Sequence, residues 1–335
     1  MIEINASIER WDLSAPFRIS GNTFYRCEML IVELIEDGLV GRGEATGVGY
    51  LGESAETILS DVVRFRSHCP SQFDQQQLNH LLPPGGARNA LDCALWELDA
   101  KKQKQSVCEL AGIQKPKPLK TNLTIGAGTP QRMREKALEY ADAPFLKLKL
   151  TGDAPLDAER LRAVRESRPA AILSVDANCG YDLQRFVELS PLLAALGIRT
   201  VEQPFAIGQE PDRKELPEEF IFIGDESVQT IEDLDRARQC FDGVNIKLDK
   251  TGGLTHALKM AKAARDLGLQ TMVGNMVGTS WSQAAGFVVG QVCDLVDLDG
   301  VTFLKQDRDP GGSINAGRVW FGDDVWGPAS PNHRE

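Results

Sequence analysis

Short apolar runs, each ending in a charged or small polar residue, recur at near-constant spacing through the C-terminal two thirds of this chain. They read FLKLK ending at Lys149, ILSVD at Asp176, RTVE at Glu202, FIFIGD at Asp225, VNIK at Lys247, TMVGN at Asn275 and DLVDLD at Asp297 and Asp299. Subtracting successive end points, with Asp297 as the last, gives steps of 27, 26, 23, 22, 28 and 22 residues. A strand, a helix and two short loops need about that length, since a parallel crossover unit runs ~30 residues. LKTNLTIG (119–126) adds a strand ahead of the seven, making eight. The pattern predicts an α/β chain whose βα units close into a TIM barrel, with the active site at the strand C-terminal ends.

A barrel typically occupies ~250 residues, and the chain has 335. Residues 1–113 fill the difference with an α+β pattern. ASIERWDL reads as a strand, and CEMLIVELIEDGLVGRGEA as a hairpin turning through Glu36, Asp37 and Gly38. ESAETILSDVVRFRSH and ARNALDCALWELDAKKQ follow with helical spacing, the second placing Ala90, Ala94, Leu95 and Leu98 on one stripe. Pro116 and Pro118 mark a linker into a barrel domain spanning 114–300. The segment 301–335 loses the repeat and is expected to return to the first domain and complete it.

Net charge is 37 − 48 = −11, which argues against a nucleic-acid partner or an anionic membrane surface. MIEINASIERW lacks the basic and apolar segments of a signal peptide, and no apolar run is long enough to span a membrane. Seven dispersed cysteines without a CxxC pair suit reduced thiols in a cytoplasmic protein. A homo-oligomer is compatible with all of this.

Asp176, Glu202 and Asp225 end three consecutive strands. Adjacent strands lie ~4.8 Å apart, so three carboxylates converge on one point, where their repulsion calls for a cation. All-oxygen ligation suits one Mg²⁺ per subunit. Lys149 and Lys247 end the strands on either side of these acids and face each other across the barrel mouth. Lys147, two residues before Lys149, points the same way. Desolvation and a nearby cation are expected to lower the lysine pKa and give a neutral amine base. Two amines flanking a metal-bound carboxylate suit removal of an α-proton and its return to the opposite face, which is racemisation or epimerisation. His68, His80, His256 and His333 all fall away from strand ends, so a histidine base or a zinc hydrolase site is not expected.

KLKL, SVDAN, VEQP, GDES and NIKLDKTGGLT together resemble the enolase superfamily in its muconate lactonizing subgroup, and ALDCALWELDAK is similar to a helix motif of that family's capping domain. The resemblance covers nearly the whole chain and implies a modified barrel of (β/α)7β type behind an N-terminal α+β cap. It implies Asp176, Glu202 and Asp225 as Mg²⁺ ligands, Lys149 and Lys247 as the acid/base pair, and Lys147 as a group polarising the substrate carboxylate. The DLDG of Asp297 and Asp299 is similar to the DxD with which dipeptide epimerases hold a substrate ammonium. Thr124, Asn275 and Met276 fall at substrate-lining positions. Two cap segments, 16–26 and 45–54, are expected to form loops over the site. In the Ala-Glu epimerases of this family a loop arginine takes the glutamate side chain; here Arg18 and Arg26 flank the equivalent stretch. The resemblance thus implies a Mg²⁺-dependent dipeptide epimerase inverting the C-terminal residue of an L-Ala-Xaa dipeptide by two-lysine 1,1-proton transfer through an enediolate. It also implies a place in peptidoglycan peptide metabolism. An N-acylamino acid racemase or cycloisomerase, and a barrel that binds without turnover, are the alternatives.

Overall fold

The computed structural model describes residues 1–328, so His333 and the end of the tail expected to complete the first domain lie outside the described residues. The chain opens with an antiparallel sheet of β1 (Glu3–Ile19), β2 (Asn22–Glu36) and β3 (Leu39–Ala45), in that order. Asp37 and Gly38 both take positive φ, 51° and 78°, which makes the tight turn between β2 and β3. The expected loop at 16–26 is instead the far end of the β1–β2 hairpin. Its register shifts between Asp12 and Phe17, then pairs Phe17 with Phe24 and Arg18 with Thr23 across a turn at Gly21. Such an irregularity twists a hairpin out of its sheet plane, and here the tip reaches the barrel.

Four helices follow: α1 (Ala55–His68), α2 (Gln75–Leu81), α3 (Gly86–Gln103) and α4 (Val107–Leu110). The short α2 and α4 escape a periodicity search, yet each begins with a capping box, at Asp74 and Ser106. The stripe of Ala90, Ala94, Leu95 and Leu98 is buried. Gly41 and Gly43 let α3 lie directly on β3, because a Cβ at either would meet the helix backbone, 2.1 Å from Ala94 O or 1.8 Å from Ala90 O.

After β4 (Leu119–Lys120) the barrel strands are β5 (Leu123–Ile125), β6 (Phe145–Lys149), β7 (Ile172–Asp176), β8 (Thr200–Glu202), β9 (Ile221–Gly224), β10 (Gly243–Ile246), β11 (Gln270–Val273) and β12 (Leu295–Val296). They form one parallel sheet in sequence order. Asn122 N donates to Val296 O at 3.2 Å and brings its two edges together. The outer helices are α5 (Pro130–Glu139), α6 (Ala154–Ser167), α7 (Leu183–Ala195), α8 (Leu234–Cys240), α9 (Leu248–Thr251), α10 (Leu254–Asp266) and α11 (Ser280–Gly290). The crossover after β8 carries only a 3₁₀ turn at Arg213–Glu215.

The 119–126 run divides. Leu119 and Lys120 pair with β14 (Arg318–Trp320), which pairs in turn with β13 (Ser313–Asn315), while only Leu123–Ile125 enters the barrel. Other parts of the C-terminal segment touch the cap. Trp326 Nε1 donates to Arg42 O at 2.8 Å, and Lys305 N to Asp12 O at 2.9 Å. Arg308 stacks 3.5 Å from the Trp281 ring centre and bonds to Glu9 and Glu44 at 2.8 and 3.1 Å. All seven cysteines are free thiols. No helix among the described residues is long and apolar enough to cross a membrane.

The close approach of α3 to β3 is testable. In Gly43→Ala the added methyl meets helix backbone that cannot swing aside, so the variant should lose roughly 1–3 kcal/mol. Thermal unfolding followed by circular dichroism should show an earlier midpoint, and an unchanged midpoint would contradict the packing described.

Candidate active site

Strand register builds the site. In the parallel barrel Lys149 pairs with Asp176 and Asp176 with Glu202, so the three stand in one row at the C-terminal rim. Glu202 faces Ile223, two residues short of Asp225, which therefore shares the inward face just beyond β9. One oxygen from each of Asp176, Glu202 and Asp225 lies within 4.8 Å of the others, and all three residues are buried. Lys147 occupies the row below, opposite Thr124 and Ser174. Lys247 follows β10, four strands round from β6, and so lies across the barrel from Lys149.

The lysines and acids interlock. Lys149 Nζ donates to Asp176 Oδ2, and Lys247 Nζ to Asp225 Oδ2 at 2.6 Å. Lys147 Nζ pairs with Glu202 Oε2 at 2.6 Å and with Asp297, and Asp176 Oδ2 lies 3.6 Å away. Burial disfavours the Lys147 ammonium, but Asp297, Glu202 and Asp176 outweigh it and push its pKa well above the usual range. Lys247 shifts the same way, with burial overcome by Asp225, Glu202 and Glu226. In this carboxylate field Lys147 and Lys247 are held as ammonium groups. Burial also opposes ionisation of Asp225, yet Lys247 and Lys250 hold it below the carboxylate range. Glu202 goes up to about 8, from burial and then the charge of Asp176.

The donor set fits a hard divalent cation on three counts. It is all-oxygen, its three donor atoms converge, and the Oε2 of the adjacent Glu226 is buried without a partner. Cys179 lies nearby, but burial, then Glu226 and Asp225, push its thiol up to about 12, so it offers no thiolate.

The DLDG segment departs from expectation. Strand β12 ends at Val296, and Asp299 (φ −107°, ψ 8°) caps a 3₁₀ turn, so Asp297 and Asp299 do not share a strand face. Asp297 turns to Lys147, and its Oδ1 is buried without a partner. Asp299 accepts from Thr124 N at 2.5 Å and from Thr124 Oγ1 at 3.3 Å. Burial and Asp297 raise its carboxyl to about 7. Asn275 Nδ2 donates to Asp297 O, and Met276 O accepts from Gln283 Nε2 at 3.3 Å, so both stand at the β11–β12 side of the mouth.

The cap closes over this side. Ala127 N donates to Arg18 O at 2.9 Å, and the Phe17 and Phe303 ring centres lie 4.3 Å apart, so the hairpin tip rests on the loops after β5 and β12. Arg18 is exposed at that tip. Arg26 is not brought to the site. It is exposed and lies 3.8 Å from Glu28, while its neighbour Cys27 faces Val277 O from the opposite side of the strand. The 45–54 segment is pinned by Asp249, whose Oδ1 accepts from Thr46 N and Gly47 N at 3.0 and 3.1 Å. Its Tyr50 stands near Asp225 and Lys247; burial and then Asp225 raise the phenol.

Several residues at the site escaped the sequence analysis. Lys250 is completely buried, and its Nζ donates to Asp225 Oδ1 at 2.7 Å. Asn245 Nδ2 donates to Glu202 Oε1 at 2.9 Å. Gln203 Oε1 accepts from Asp225 N at 2.9 Å. The signal for the first two was the polar composition of NIKLDK, a segment that runs into a buried barrel rim.

Residues 1–112 match the N-terminal domain of the mandelate racemase / muconate lactonizing enzymes, and residues 132–308 match the enolase C-terminal domain-like family. The L-Ala-D/L-Glu epimerase of Escherichia coli (strain K12) is 36% identical over 313 residues, covering 93% of this chain and 97% of the relative. A hydrophobic dipeptide epimerase of Roseobacter litoralis is 34% identical and covers 88% of each chain. An enolase family member from Agrobacterium tumefaciens, with homology to dipeptide epimerases and with bound sodium and L-Ala-L-Glu, superposes at a TM-score of 0.94. It is 36% identical, covering 98% of this chain and all (100%) of that one. The dipeptide epimerase of Methylococcus capsulatus, complexed with Mg and L-Arg-D-Lys, gives a TM-score of 0.86 at 31% identity, over 95% and 96% of the two chains. Matched by both family models and by a relative 36% identical over 93% of its length, the chain belongs to the enolase superfamily, in the family of mandelate racemase and muconate lactonizing enzyme.

Proposed function

We propose that this protein is a Mg²⁺-dependent dipeptide epimerase that inverts the α-carbon of the C-terminal residue. The observation that carries the proposal is the placement of Lys149 and Lys247 across the barrel from one another with Asp176, Glu202 and Asp225 between them. The three acids would hold Mg²⁺, whose charge stabilises the negative charge that develops on the substrate carboxylate when an α-proton leaves. A cation there would also offset the carboxylate field that raises the Lys247 amine. One lysine takes the α-proton, and the other returns a proton to the opposite face. Lys147, buried beneath them, donates to the substrate carboxylate and favours the enediolate. The bound Mg and dipeptide of the Methylococcus capsulatus protein support both the metal and the substrate class.

The substrate ammonium falls to the Asp297–Asp299 pair, where Asp297 Oδ1 is a buried acceptor without a partner. L-Ala-D/L-Glu is the first dipeptide to try, given the Escherichia coli relative and the L-Ala-L-Glu of the Agrobacterium structure. Arg18, at the hairpin tip, is placed better than Arg26 to meet a substrate carboxylate. A second reading, N-acylamino acid racemisation, draws on the inward engagement of both acids: Asp297 with Lys147 and Asp299 with Thr124. An N-acetyl-D-glutamate racemase from Pseudoalteromonas is also among the relatives.

Three outcomes test these readings. Thorough chelation should abolish turnover and added Mg²⁺ restore it; turnover that survives chelation removes the metal from the mechanism. Lys247→Ala should stop epimerisation in D₂O yet leave α-deuterium exchange from one epimer only, through Lys149. Equal residual exchange from both epimers would contradict the two-base assignment. N-acetylation of the dipeptide should lower kcat/KM by roughly one to two powers of ten, since a charge-assisted hydrogen bond contributes ~1.5–3 kcal/mol and ~1.4 kcal/mol is tenfold. Equal turnover of the acetylated substrate would install the racemase reading in its place.

A further inference from the structure

The three converging acids share a pattern that their roles as ligands do not require. Each has one oxygen tied to a donor in the scaffold behind it and the other turned to a lysine of β6 or the end of β10. Asp176 Oδ1 accepts from Asn178 N at 2.9 Å, and its Oδ2 meets Lys149. Glu202 Oε1 accepts from Asn245 Nδ2 at 2.9 Å, and its Oε2 lies 2.6 Å from Lys147 Nζ. Asp225 Oδ1 accepts from Lys250 Nζ at 2.7 Å, and its Oδ2 from Lys247 Nζ at 2.6 Å.

The two side-chain donors are themselves held. Lys250 Nζ also donates to Asp225 O at 2.6 Å, Val228 O at 2.8 Å and Asn245 O at 2.9 Å. Its ammonium therefore has no freedom to turn toward substrate. Asn245 is fully buried against Gly274, where a Cβ would stand 2.3 Å from Asn245 Oδ1. Only glycine at 274 leaves room for that amide. Lys250 and Asn245 thus form one connected brace behind Asp225 and Glu202.

We infer that Lys250 and Asn245 are positioning residues that keep Asp225 and Glu202 as single-oxygen ligands and so set a preference for Mg²⁺ over Ca²⁺. The inference rests on the proposed reading of these acids as metal ligands. Ca²⁺ takes about six to eight oxygens and often both oxygens of one carboxylate, whereas Mg²⁺ demands a near-octahedral set of about six at shorter range. For Asp225 to chelate through both oxygens, Oδ1 must turn from Lys250 toward the ion, which weakens the pairing of a buried ammonium and is unfavourable. The same rotation of Glu202 strands the Asn245 amide. The brace therefore withholds the additional oxygens that a larger cation needs.

The test is calorimetric titration of the full-length protein with MgCl₂ and with CaCl₂, without substrate. Lys250→Met should move the Ca²⁺-to-Mg²⁺ affinity ratio toward Ca²⁺ by about tenfold or more, and Asn245→Leu should move it in the same direction. Variants that keep the wild-type ratio overturn the inference. Because Lys250→Met leaves four acceptors without their donor and can unfold the chain, a second arm uses wild-type crystals soaked in CaCl₂. Asp225 and Glu202 should each reach the ion through one oxygen, with Lys250 still on Asp225 Oδ1; chelation by both oxygens of either residue overturns the inference. If wild type binds neither cation, or Asp225→Asn binds both as wild type does, the metal-site reading itself fails and takes the inference with it.

Discussion

Crowded charge in a place with little water is the constraint around which this molecule is arranged. Asp176, Glu202, Asp225, Asp297 and Asp299 are buried within reach of Lys147, Lys149, Lys247 and Lys250. Unpaired, any of these groups would be very costly to bury, and breaking one buried pair strands its partner. Parallel strands in register make the pairing possible, since each rim residue finds its neighbour on the next strand. The barrel therefore works as a charge-ordering frame, with three carboxylates on consecutive strands flanked by an amine at each end.

The cap completes that frame by hydrogen bonds into the barrel rim. Asp249, two residues after Lys247, holds the backbone of Thr46 and Gly47. Arg88 reaches Thr251 O and Gly252 O at 2.7 and 3.2 Å, and Asp92 accepts from Thr255 N and Oγ1 at 2.9 and 2.7 Å. Glu44 takes Thr279 N at 2.7 Å and Arg308 at 3.1 Å. These bonds cluster on α9, α10 and the start of α11, so the elements that follow Lys247 also hold the 45–54 segment.

Much of this was legible in the sequence, because strand ends in a parallel barrel announce themselves by polarity at a regular interval. Asp176, Glu202, Lys149 and Lys247 needed only that period. What stayed hidden depends on contacts between distant segments. The brace formed by Lys250 is invisible without knowing that a four-residue helix folds its side chain back onto the segment that follows β9. The DLDG pair misled because alternation holds only while a strand continues, and β12 stops one residue before Asp297. Segment 16–26 carried turn residues and exposed polar groups that suit a loop, while the cross-strand partners that make it a hairpin lie within the segment itself. Arg26 followed the same error, since strand alternation sends it outward once the hairpin continues through it.

The anchors between cap and barrel divide the cap into two zones with different evolutionary freedom. Residues such as Arg88, Asp92 and Glu44 are buried and bonded across the boundary, so change there strands partners on both sides at once. The hairpin tip from Phe17 to Phe24 and the turn from Gly49 to Gly52 lie beyond those anchors and carry exposed side chains such as Arg18, Phe24 and Leu51. Substitutions there alter what the mouth of the barrel admits without disturbing the charges beneath it. A new substrate preference can thus be acquired at the tips while the buried lysines and acids are inherited unchanged.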